Sequence, residues 1–206
     1  MRFEPPPLLV KHLGRIEYLP ALRAMRAFTE NRGVDTADEL WVLEHPPVYT
    51  LGVRSDPDHR PGAESAIPIV PSNRGGEITY HGPGQVVLYT LVDLARRSIK
   101  VKAFVRLLEQ AVIDLLGSKA TRRPGAPGVY VDGAKVAALG IRVTRGRAYH
   151  GLALNVDMDL TPFSAIDPCG YPGLAVTQTR DLGFTDSPAA MGERLAASVA
   201  SHLDHA

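Results

Sequence analysis

Two dipeptides, Asp132-Gly133 and Arg145-Gly146, constrain the fold of this chain more than any other feature. Asp-Gly accepts the positive φ that a two-residue type I′ turn demands, and the twist of that turn matches the strands it joins. It lies between residues 128–131 and 134–143, both rich in apolar and β-branched side chains. Arg145-Gly146 forms a second turn, leading into residues 148–156. The expectation is an antiparallel meander that needs further strands and helices to cover it.

Around it, residues 101–116 place Val101, Phe104, Val105, Leu108, Val112, Leu115 and Leu116 on one helical face, closed by Gly117. Residues 19–32 read as a helix with Pro20 in its first turn and Gly33 at its end. Ser187-Pro188, a cap followed by a first-turn proline, opens a last helix to about His202. Short strand runs fall at 40–43, 48–51, 78–80 and 86–91, broken by His45-Pro46-Pro47 and Gly82-Pro83-Gly84. Residues 55–66 read as an exposed connection. Helices and strands intermix without a regular βαβ rhythm, and no linker divides residues 1–206. A single α/β (α+β) domain with a mixed sheet flanked by helices is expected.

Lys plus Arg number 23 against Asp plus Glu 22, a formal charge of +1 that argues against a nucleic-acid coat or a polybasic membrane anchor. The start, MRFEPPPLLV, carries Glu4 and three prolines where a secretory signal needs an apolar run, so a soluble cytoplasmic protein is expected. One cysteine excludes an intramolecular disulfide and a multi-cysteine metal site, and no HExxH-like spacing suggests zinc.

The most unusual segment is Arg74-Gly75-Gly76-Glu77-Ile78-Thr79-Tyr80-His81-Gly82-Pro83-Gly84-Gln85. Its glycines let backbone approach a ligand, Arg74 can hold an anion, and His81 can donate, accept or transfer a proton. It fits neither GxxxxGK[ST] nor GxGxxG, and a ligand-free glycine-rich turn is the plain alternative. Cys169 stands among prolines and glycines in DPCGYPG, the setting of an irregular loop. A thiol of reference pKa ~8.5 needs a base or cation beside it to act as a nucleophile. Lys135 precedes the apolar run Val136-Ala137-Ala138-Leu139-Gly140-Ile141. Alternation allows it either sheet face: solvated beside the turn, or in an apolar cleft where desolvation favours a neutral amine able to act as a base. His150 and His45 rank lower, as side chains that could line a site or simply be structural.

Together these segments resemble the octanoyltransferase (lipoyl(octanoyl) transferase) family of protein lipoylation. The resemblance rests on RGGEITYHGPGQ, KVAALG from Lys135, HGLALNV from His150 and DPCG around Cys169, in that order and spacing, with Glu77 at a position that varies. It implies the fold shared with biotin and lipoate protein ligases. It implies Cys169 as the acyl-thioester nucleophile and Lys135 as its activating partner. The acyl chain and donor would be held by Arg74, Gly75, Gly76, Glu77, Ile78, Thr79, Tyr80 and His81, with Ala138, Leu139, Gly140, Gly151, Leu152 and Ala153. The implied donor is octanoyl acyl carrier protein. The implied acceptors are lysines of lipoyl domains in 2-oxoacid dehydrogenase complexes and of glycine cleavage H protein, with no cofactor or metal and no nucleic acid or membrane as partner. Three rivals remain on the residues: an ATP-dependent lipoate or biotin ligase, an enzyme moving octanoyl between lipoyl-bearing proteins, and a non-catalytic acyl-binding module.

Overall fold

The structure is a computed structural model that describes residues 6–62, 65–167 and 173–206. Residues 168–172, which include Cys169, lie outside the described residues. Along the chain run β1 (Leu9–Arg15), α1 (Tyr18–Asn31), β2 (Glu39–Glu44), β3 (Val48–Leu51), β4 (Ile69–Pro71), β5 (Ile78–His81) and β6 (Gln85–Asp93). They are followed by α2 (Val101–Leu116), β7 (Ala120–Arg123), β8 (Ala126–Val131), β9 (Ala134–Thr144), β10 (Arg147–Asn155) and α3 (Pro188–Asp204).

Among the described residues, seven strands form the main sheet in the order β1-β2-β6-β10-β9-β8-β7, and β4-β3-β5 form a small second sheet. The strands from β2 to β7 pair antiparallel, while β1 runs parallel to β2, so the sheet is mixed as expected. Both expected turns form: Asp132 and Gly133 have φ of 49° and 83°, and Arg145 and Gly146 have 49° and 75°. Side-chain alternation divides the core. Leu40, Val42, Val86, Leu88, Leu152 and Leu154 face α2 and α3, whereas Trp41, Leu43, Val87, Tyr89 and Ala153 face α1. No helix among the described residues is long and apolar enough to cross a membrane.

Helices α2 and α3 match their sequence signals closely. α2 spans the expected residues and ends at Gly117, whose φ is 86°. Ser187 caps α3 by accepting from Ala190 N–H at 3.2 Å, with Pro188 in the first turn. Val101, expected on the buried face of α2, is instead 46% exposed at the helix start, where little packs over the first turn. Strands β1, β4 and β7 escape the sequence reading: β1 and β4 are mostly exposed and short of apolar alternation, and β7 is the polar run ATRR.

Helix α1 ends one residue earlier than Gly33 suggests, for an electrostatic reason. Arg32 turns extended, with ψ of 134°, and its guanidinium donates to the Asp38 carboxylate and to Leu91 O. The same buried carboxylate accepts from Arg96 Nη2 at 2.7 Å, Arg97 Nε at 2.6 Å and Asp93 N–H at 2.8 Å. Burial alone would raise the Asp38 pKa; the bonds from Arg97, Asp93 and Arg32 outweigh it and hold the group below its ordinary value. Because the folded pKa is depressed, this stabilisation is present above the unfolded value of ~3.9 and is lost as pH falls through the folded one. Asp38→Asn is expected to lower stability by about 3–5 kcal/mol at pH 7 in urea unfolding, since it leaves three buried guanidinium groups short of a partner. The deficit shrinks as pH falls from about 4 through the depressed folded value, where wild type loses the same charge.

Candidate active site

The site lies where β5 and the loop before it pass over the α1-side face of β6, β10 and β9. That loop is held from both sides. Gly75 N–H donates to Ile141 O in β9 at 3.0 Å. Arg74 donates through Nη2 to Thr50 O at 2.6 Å and through Nε to Thr50 Oγ1 at 3.2 Å, both in β3, and through Nη1 to Gly75 O at 3.0 Å. Gly76 adopts φ of 87°, and a Cβ on Gly52 would lie 2.1 Å from Gly76 O, so each position requires glycine for its own reason.

Beneath this strap is a narrow, mainly apolar cavity. It is lined by Arg74, Gly76, Glu77, Ile78, Thr79 and His81 from the strap and β5. Ala138, Leu139, Gly140, Gly151, Leu152 and Ala153 of β9 and β10 line the other side. Twelve of the fourteen binding residues expected from the sequence therefore meet around one space. Gly75 borders a neighbouring, larger cavity that shares Gly76, Glu77, Leu139 and Gly140 with the first and is also lined by Arg54 and Pro127. The Tyr80 ring packs against Tyr49 and Phe163, in a separate apolar cluster.

Tyr18, Val87, Tyr89 and His150 also line the cavity. The alternation of Val87 and Tyr89 in β6 was a usable sequence signal, because it puts both on one sheet face. Tyr18, at the start of α1, had none. For His150 the period-2 rule misleads. Alternation would put it with Ala148 and Leu152, on the α2 side. Its φ of 62° instead brings the ring to the Tyr149 face, where the two rings stack with centroids 5.0 Å apart. A positive φ in a non-glycine residue costs about 1–3 kcal/mol. Part of that is offset by a bond from His150 Nε2–H to Asn73 Oδ1 at 2.8 Å, and Asn73 Nδ2 in turn donates to Tyr149 Oη at 2.6 Å.

Two further histidines are buried here. His45 Nδ1–H donates to Ile16 O at 2.6 Å, so its Nε2 accepts from the Tyr89 hydroxyl at 2.6 Å. His81 lies 5.7 Å from His45, ring to ring. Burial pushes His45 down to about 4 despite the Ile16 bond. Burial, with His45 and Arg74 nearby, pushes His81 to about 3, and burial with Arg74 does the same for His150. All three are neutral at pH 7. In each the folded state resists a proton that the unfolded chain takes up below ~6.5, so stability falls as pH drops from there towards 4. The slope is expected to reach about 1.4 kcal/mol per pH unit for each histidine, and urea unfolding of His150→Asn should show a shallower slope than wild type.

Lys135, at the start of β9, is only 3% exposed; the solvated position beside the turn is not the one it takes. Its Nζ donates to Pro127 O at 3.3 Å and sits 5.1 Å from the Tyr130 ring centroid. Its backbone bonds to Ala175 O and Thr177 N–H, in the segment that follows the cysteine-bearing stretch in sequence. Cys169 itself falls outside the described residues. Among the described residues no group of three or more His, Cys, Asp or Glu could hold a metal ion.

Comparison with known proteins identifies the family and the fold. Residues 17–200 match the lipoyl protein ligase A/B catalytic domain family. The octanoyltransferase of Azoarcus sp. (strain BH72) is 60% identical over 192 residues, 92% of this chain and 85% of the relative. The octanoyltransferase of Chromobacterium violaceum is 52% identical over 200 residues, 96% of this chain and 96% of the relative. Among solved structures, lipoate-protein ligase A bound with ATP aligns with a TM-score of 0.78 at 15% identity, covering 98% of this chain and 86% of that one. A bi-partite lipoate protein ligase from Thermoplasma acidophilum gives 0.77 at 16% identity, over 98% and 85%. A biotin protein ligase from Aquifex aeolicus gives 0.57 at 10% identity, over 96% and 70%. The structural likenesses are of fold, and they match the architecture expected from the sequence.

Proposed function

This chain belongs to the octanoyltransferase family, whose members act in protein lipoylation, and on that premise we propose a two-step route for its reaction. Octanoyl passes from the phosphopantetheine thioester of acyl carrier protein to Cys169, then to a lysine of a lipoyl domain or of glycine cleavage H protein. The observation that carries this reading is the meeting of twelve expected binding residues around one apolar cavity, with Lys135 buried on the same strand as Ala138, Leu139 and Gly140.

In the first step the Lys135 amine takes the thiol proton and the sulfur attacks the donor carbonyl. The phosphopantetheine sulfur leaves and takes a proton back from the lysine ammonium. In the second step the acceptor amine attacks the Cys169 thioester, its surplus proton passes to Lys135, and an amide forms as the cysteine sulfur leaves. The acyl group arrives activated, exchange between thioesters is nearly balanced, and amide formation from a thioester is downhill. The route therefore draws on no nucleotide. Burial of an eight-carbon tail contributes on the order of 5 kcal/mol before binding costs. The small residues Gly76, Ala138, Gly140 and Ala153 leave space for that tail.

Intact mass spectrometry after mixing with octanoyl acyl carrier protein tests the route. Wild type is expected to gain one octanoyl unit and Cys169→Ala none. An unmodified wild-type chain that still transfers octanoyl would defeat the covalent step. Ala138→Leu, which narrows the cavity from a half-buried position, is expected to slow octanoyl transfer about tenfold. Hexanoyl transfer by that variant should change less than about threefold, with circular dichroism unaltered.

A further inference from the structure

Lys135 is held by a segment that belongs to no strand. Its N–H donates to Ala175 O at 2.8 Å, its carbonyl accepts from Thr177 N–H at 2.9 Å, and Val176 bridges to it in parallel. Two backbone bonds on that side of β9, where its pairing with β10 has ended at Ala137, are a weak tether for the segment. Asn155, the last residue of β10, reinforces it twice. Its Nδ2 donates to Thr177 O at 2.9 Å, and its carbonyl accepts from Thr179 N–H at 2.9 Å.

The bonds continue into the cavity wall. Asn155 Oδ1 accepts from Gln85 Nε2 at 3.0 Å, Gln85 also donates to Tyr80 O at 3.2 Å, and its Oε1 accepts from His81 Nδ1–H at 2.7 Å. Asn155, Gln85 and His81 are all buried. One fixed point sets every direction along this line. Thr177 O can only accept, so Asn155 turns its NH2 to it and its oxygen to Gln85. Gln85 must then give its NH2 to Asn155 and its oxygen to His81. His81 therefore carries its proton on Nδ1, and its Nε2 lone pair faces the Thr50 hydroxyl 3.4 Å away. A single reversed amide would leave two buried groups of like polarity facing each other.

We propose that Asn155 and Gln85 are positioning residues of the transfer reaction, coupling the segment that holds Lys135 to the imidazole that lines the acyl cavity. Neither touches the reacting atoms. Asn155 holds Thr177, Thr177 holds Lys135, and Gln85 keeps His81 in one tautomer, so that lysine and acyl pocket stay in register. The proposal rests on Cys169 and Lys135 being the reacting pair.

Asn155→Asp tests it with almost no change of shape. The variant keeps an acceptor towards Gln85 but turns a carboxylate oxygen to Thr177 O, where a donor was. At pH 8 kcat is expected to fall at least about 30-fold, with KM for the octanoyl donor changing less than about threefold. Protonation of the introduced carboxylate restores one donor to Thr177 O, and burial favours that protonated form. Variant activity relative to wild type should therefore rise at least about fivefold between pH 8 and pH 6, which a purely structural role would not produce. Gln85→Glu, which presents a carboxylate to Asn155 Oδ1, is the second variant and is expected to lose kcat by at least about tenfold. A kcat within about twofold of wild type in both folded variants, or a loss in Asn155→Asp that does not change with pH, overturns the proposal. So does failure of both to fold, which would make the bonds a requirement of the fold alone. The mass measurement on wild type is run alongside. No adduct there overturns the parent reading and this proposal with it, whereas an adduct forming at an unchanged rate in the variants overturns this proposal only.

Discussion

The cavity exists because one short strap is tied to both sheets. Gly75 bonds to Ile141 of the main sheet, while the Arg74 guanidinium grips Thr50 of the small sheet. These bonds set the gap beneath the strap, and the strap's glycines keep side-chain volume out of it. An arginine is suited to this work because its planar fork reaches a carbonyl and a hydroxyl of one residue together. A lysine would supply a point charge without that geometry.

Around an apolar space the protein has placed an unusual density of buried polar groups: His45, His81, His150, Tyr18, Tyr89 and Arg74. Burying such groups is tolerable only when each is hydrogen-bonded. Most are, through the tyrosine, asparagine and glutamine partners named above. Burial keeps the three imidazoles neutral, with the Arg74 charge adding to it for His81 and His150, so the wall is polar without carrying a cluster of positive charges. His150 shows what this arrangement costs, since its strained backbone is retained to bring one ring to the cavity face. The same neighbourhood connects outward through Gln85 and Asn155 to Lys135, so the pocket and the proposed reacting group belong to one bonded system.

Much of the site was legible along the chain because its residues come in short contiguous motifs. RGGEITYH forms a strap followed by a strand, and Ala138–Gly140 and Gly151–Ala153 are directly paired in the β9–β10 hairpin. A motif within a hairpin whose turn is written in the sequence needs little tertiary information to be placed. Tyr80 was a different case, since strand alternation turns its ring to the Phe163 cluster while its neighbours Thr79 and His81 line the cavity. Strands β1 and β4 were missed because exposed strands are specified by backbone pairing with a neighbour, which leaves little mark on side-chain pattern.

The residues alone determined the meander, the helical faces, the caps and the family, because turn chemistry, hydrophobic period and motif spacing are local properties of the chain. Tertiary structure decided which face Lys135 occupies, where His150 points and which amides link the two halves of the site. Those outcomes depend on long-range contacts and on a backbone angle that no local preference favours. A period of two predicts side-chain direction only while φ stays in the β region, and burial of a lysine side chain follows from what packs over it.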